Sequence, residues 1–143
     1  MIPAGDAVAQ GPEAAMSGGR WKSRIGRNTV LLFYPGQHGT PYIHIPLPLL
    51  FLAKTMIEET RFAPRIVDAR VEDYRGVPLD DVLLVGISSM TGPMIGNGLE
   101  IAMYVRSVDP TIPIVWGGVH VSALPEQTLE HDLVDIIVRG EGE

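Results

Sequence analysis

The chain has 143 residues, 45% hydrophobic and 20% charged, a globular composition long enough for one domain with a real core. Its net charge of -6 argues against the basic patch that nucleic-acid binding requires, and no apolar run is long enough to span a bilayer. The sequence contains no cysteine, which excludes disulfides, thiolate zinc sites and a cysteine-held iron–sulfur cluster within these residues, and fits a reducing cytoplasm.

Residues 1–27 are rich in Ala, Gly and polar residues without periodicity, and read as a flexible leader ahead of a domain spanning 28–143. Trp21, Lys22, Arg24 and Arg27 form either a small docking segment or a solvated basic tail. Thr29 to Tyr34 is a near-continuous apolar run, the mark of a strand covered on both faces, and Pro35-Gly36 ends it. The following loop carries His38, Tyr42 and His44 and is long for a strand-to-helix connection. A helix is predicted from Leu47, with Leu49, Leu52, Ala53, Met56 and Ile57 on one buried face.

Pro64 to Ala69 is a shorter, more polar second strand, placed near an edge, followed by a polar connection over 70–81. Val82 to Ser88 is the third strand, apolar throughout and therefore central, with Ser89-Met90-Thr91-Gly92-Pro93 as its loop. A helix over 94–108 is predicted to bury Ile95, Leu99, Ala102, Met103 and Val105. The fourth strand starts at Ile112 and stops in Gly117-Gly118, with a polar loop after it. A short helix over 125–131 leads to the fifth strand, Val134 to Val138, which runs out into Arg139-Gly140-Glu141-Gly142-Glu143. Strands alternating with helices at this spacing predict an α/β fold with right-handed crossovers. We expect a flavodoxin-like (Rossmann-like), doubly wound sheet of five parallel strands in the order 2-1-3-4-5.

In such a sheet, ligands sit at the carboxyl ends of the strands. Neither Gly-x-Gly-x-x-Gly nor a Walker-type Gly-Lys-Ser/Thr is present, so the main phosphate-binding signatures are missing. A phosphoacceptor domain of this class needs a carboxylate at a central strand end, where this chain has Ser88. The loops instead offer small hydroxyls and glycines: Ser88, Ser89, Thr91, Gly92, Gly117, Gly118 and Ser122. That lining suits a large, mostly neutral ligand approached closely by backbone, although Ser88 and Thr91 equally suit strand-end and capping duty. Trp116 reads as core, and His120 and His131 as loop histidines rather than metal ligands, because no second ligand accompanies them at a suitable spacing.

Three stretches in order carry a resemblance: Val85 to Gly92, Pro113 to His120, and Asp135 to Glu143. Together they resemble the cobalamin-binding domain that precedes the catalytic barrel in cobalamin-dependent radical S-adenosylmethionine enzymes, over roughly 28–143; the helix sequence Pro48 to Ala53 is similar too. The resemblance implies cobalamin as cofactor. Ser88, Ser89, Met90 and Thr91 would contact its nucleotide tail, and Gly117 and Gly118 would leave room for that tail beside the sheet. The loops around Tyr42, Met90, His120 and Gly140, Glu141 and Gly142 would rim the corrin ring. It also implies a partner, the radical S-adenosylmethionine barrel in cis or in trans, and a methyltransferase-type parent enzyme. No residue of this chain is assigned a catalytic or metal-ligating role.

Two departures from the family pattern matter. Many cobalamin proteins carry Asp-x-His-x-x-Gly after the first strand, whose His ligates cobalt in place of the tail base; here no Asp stands two residues before His38 or His44. The expectation is therefore cobalamin with its base displaced and no His ligand. The Cys-x-x-x-Cys-x-x-Cys motif of the barrel is also absent, so the iron–sulfur cluster and S-adenosylmethionine are expected only in a following domain, and the chain alone is not expected to be catalytic. Two other classes fit the same residues: a flavodoxin-like domain binding another ligand or a partner protein, and an interaction domain using the carboxyl-end edge.

Overall fold

The computed structural model describes residues 7–9, 22–36, 44–59 and 61–142. The elements in order are β1 (Ala7–Ala9), β2 (Thr29–Tyr34), α1 (Leu47–Glu58), β3 (Ala63–Asp68), β4 (Val82–Ser88), α2 (Pro93–Val108), β5 (Ile114–Gly117), α3 (Val119–Ala123), α4 (Pro125–Leu129) and β6 (Ile136–Val138). The sheet runs β1-β6-β5-β4-β2-β3, and its five strands from β2 to β6 are parallel. In the order of those five this is 2-1-3-4-5, the flavodoxin-like arrangement expected from the sequence. The more polar β3 is at the edge, as its composition indicated.

Strand alternation divides the sheet into two unlike faces. On one, Val67, Phe33, Ile87, Trp116 and Ile137 lie in register across five strands, all buried. Ile101, Ala102 and Val105 of α2 and Val121 of α3 complete this core. Each buried Val, Ile or Phe side chain among them contributes roughly 1.5–3 kcal/mol through burial. On the other face α1 packs Leu49 and Ala53 onto Val30 and Leu32, with Ile66 and Leu84 alongside. Further along that face the rows Gly86–Val115–Ile136 and Ser88–Gly117–Val138 are only half-buried. No described helix contributes to the core over them.

Several local expectations are corrected. The leader is not wholly detached from the fold: β1 pairs antiparallel with β6, covering a strand edge that would otherwise stay open. Arg24, read as part of a docking segment or a solvated tail, is 2% exposed. It donates to the Val82 carbonyl and Thr111 Oγ1 and pairs with Asp109, strapping the amino ends of β4 and β5 together. The polar loop expected after Gly118 is helix α3, because Gly118 at φ 106° turns the chain directly into it.

Helix α2 is rotated from its predicted phase, burying Met94, Asn97, Gly98, Ile101, Ala102 and Val105 while Met103 is 53% exposed. The cause is close approach. A Cβ at Gly98 would lie 2.9 Å from the Trp116 ring, so the small-residue side of the helix faces the sheet. On α1, Leu52 and Met56 are half-buried and Ile57 is 61% exposed, because the helix buries only the narrow side carrying Leu49 and Ala53.

Candidate functional site

The loops after β4, β5 and β6 are joined by hydrogen bonds into one arc. Ser89, 1% exposed, donates from both N and Oγ to the Gly117 carbonyl, at 2.8 and 2.9 Å. The His120 amide donates to the Ser89 carbonyl at 3.3 Å. Gly118 sits so tightly on this turn that a Cβ there would lie 2.5 Å from the Ser89 oxygen. Only glycine meets both that contact and the positive φ. Ser122 Oγ donates to the Gly118 carbonyl and accepts from Gly140 N, at 3.0 and 2.9 Å. Thr91 Oγ1 and His120 Nδ1 are 3.4 Å apart on the exposed rim, at the long end for a hydrogen bond.

Beneath this arc lies the half-buried row Ser88–Gly117–Val138. A Cβ at Gly117 would meet nothing closer than the Val138 carbonyl at 3.8 Å, so the glycine leaves usable width above the sheet. One row further down, the Leu32 side chain leans over Gly86, where a Cβ would be 2.9 Å from it. On the far side the chain after β6 reaches α1: a Cβ at Gly142 would have Val138 at 3.5 Å and Leu52 at 3.7 Å. Among the described residues the result is a trough on the face that no described helix covers, floored by small residues and Leu32, bounded by α1 and the chain after β6, and rimmed by the bonded segments that follow β4, β5 and β6.

The site residues read from the sequence divide clearly. Ser88 and Gly117 face the trough; Met90, Thr91, Gly140, Glu141 and Gly142 are exposed around it, with His120 half-buried among them. Ser89 and Gly118 serve the rim from below, Ser89 bonded to the Gly117 carbonyl and Gly118 pressed against the Ser89 backbone. Tyr42 and His38 lie outside the described residues. Trp116 is core, its Nε1 donating to the Leu133 carbonyl at 3.1 Å. Among the described residues no group of three or more His, Cys, Asp or Glu side chains is placed to hold a metal ion, and no helix is long and apolar enough to cross a membrane.

Two residues passed over in the sequence hold the rim near β2. Asn97, buried within α2, accepts from Gly36 N at 2.6 Å and donates to Glu100 at 3.1 Å. Its signal was an amide flanked by two glycines inside a helix. Arg70, taken as part of a polar connection, forks onto Asp68, lies 4.5 Å over the Tyr34 ring and donates to the His44 carbonyl. The Arg70 hydrogen bonds hold the Asp68 carboxyl below the usual carboxylate range against the opposing effect of burial, and Asp68 in turn raises Arg70. A shallow dent of about 340 Å³ near Val77, Leu79, Tyr104 and Asp109 lies toward the opposite, amino-terminal ends of the strands.

A parallel sheet sealed on one face, with a glycine- and serine-floored trough at its carboxyl edge, defines a flavodoxin-like ligand-binding domain. The model of the B12 binding domain family matches residues 40–143, and the chain belongs to that family, which supports cobalamin as its ligand. It is also similar to an uncharacterized methyltransferase of Pyrococcus horikoshii, at 31% identity over 105 residues, covering 68% of this chain. The match spans 22% of that relative's length.

Proposed function

We propose that the chain holds cobalamin as the cofactor domain of a methyltransferase-type enzyme, paired in cis or in trans with a radical S-adenosylmethionine barrel. The observation that carries the reading is the half-buried Ser88–Gly117 row, on the face that no described helix covers and directly beneath the hydrogen-bonded rim. In this reading Ser88 bonds the nucleotide tail and Gly117 gives it width. Met90, Thr91, His120 and Gly140 to Gly142 surround the corrin ring. Bound cobalamin supplies a cobalt centre able to accept and pass on a methyl group. The protein binds and orients that centre, keeps water from its sheet side and leaves the opposite side open to the barrel. The cluster and S-adenosylmethionine belong to the barrel, since this chain has no cysteine.

In this reading the tail base would be displaced from cobalt with no histidine in its place. The absence of Asp-x-His-x-x-Gly supports the second half, the lack of a histidine ligand. The test is a visible spectrum of the chain after incubation with hydroxocobalamin and desalting. Near-stoichiometric corrin absorbance with base-displaced band positions is expected; a colourless protein would count against cobalamin. Reduction to cob(II)alamin should give an EPR spectrum without nitrogen splitting from a protein imidazole.

A further inference from the structure

We infer that Ser122 is a positioning residue that fixes the loop after β6 for the corrin ring, an inference that rests on the cobalamin reading above. Its hydroxyl is used in both directions, donating to the Gly118 carbonyl and accepting from the Gly140 amide. The first bond lies within α3 and anchors the hydroxyl; the second reaches 18 residues along the chain to another loop. Gly140 is a turning point, at φ 73°, after which the chain crosses to Gly142 between Val138 and Leu52 of α1. Helix α3, which carries Ser122, is itself anchored at its start, because Gly118 is pressed onto Ser89. Ser122 thus transfers the rigidity of the central strands to a segment that has left the sheet. Gly140 is exposed, so water can satisfy its amide if the hydroxyl is removed. The loss then falls on the placement of the loop rather than on the stability of the fold.

The experiment uses the full 143-residue chain and three variants: S122A, S122T, which retains a hydroxyl, and S107A as control. Ser107 Oγ makes a comparable bond to the Tyr104 carbonyl near the end of α2. In the free chain, S122A should raise amide hydrogen exchange at Gly140 about fivefold or more while Ser89 and His120 keep their protection. Titration with hydroxocobalamin should give a Kd about fivefold to tenfold weaker for S122A, with S122T and S107A like the parent chain. Unchanged exchange at Gly140 in S122A, or equal affinity of S122A and the parent, would overturn the inference. A parent chain that binds no corrinoid counts against the cobalamin reading itself, and the exchange measurement still decides whether Ser122 holds the loop.

Discussion

At the scale of single residues the paired glycines divide two tasks that look identical in sequence. Gly118 is a packing glycine: a side chain there collides with the Ser89 backbone at a positive φ, and G118A should cost about 2–4 kcal/mol in urea denaturation. Gly117 is a ligand-side glycine, where an added methyl group would find ordinary clearance. G117A should change stability by less than about 1 kcal/mol yet weaken hydroxocobalamin retention. Asp68 gives a pH test. Its folded pKa is depressed by Arg70, so its contribution is complete above the unfolded value of about 3.9 and is lost as pH falls through the folded value. D68N should therefore be less stable than the parent at neutral pH, with the gap closing in acid; a gap independent of pH would remove the ion pair from the account.

At the scale of elements, α2 fits closely against β5. Because Gly98 lies on the Trp116 ring, G98A should cost about 1–3 kcal/mol and shift the tryptophan fluorescence that reports its surroundings. The strands were legible in the sequence because β2, β4 and β5 are apolar on consecutive residues, and the alternation of strand and helix then left few topologies open. The phase of α2 was not legible. Apolar periodicity favours the side carrying Leu99 and Met103, whereas the packing is decided by how near Gly98 lets the helix come to an indole on the neighbouring strand. Ser88 and Gly117 were legible as strand-end residues. The Arg70–His44 bond, the Gly36–Asn97 bond and the second bond of Ser122 were not, since these partners lie 26, 61 and 18 residues apart and no local pattern records them.

At the scale of the molecule, the larger core fills one face of the sheet, while the other carries the smaller α1 cluster and the trough side by side, sharing Leu32. A ligand that occupies the trough should stabilise the whole fold through mass action. At a free concentration of hydroxocobalamin near one hundred times its Kd, the gain is about 2.7 kcal/mol, read as a raised urea midpoint. The edge strand β1 has a kinetic consequence of its own. Its register joins Ala9 to Ile136, nearly opposite ends of the chain, whereas the five parallel strands pair across much shorter connections. Closing so long a loop is slow to be rewarded by contacts, so β1 is expected to dock after the rate-limiting step and to detach before it on the way out. Deleting residues 1–21 should leave the refolding rate nearly unchanged and speed unfolding. The strand is thus a latch on the lifetime of the folded state, set at the far edge of the sheet from β3.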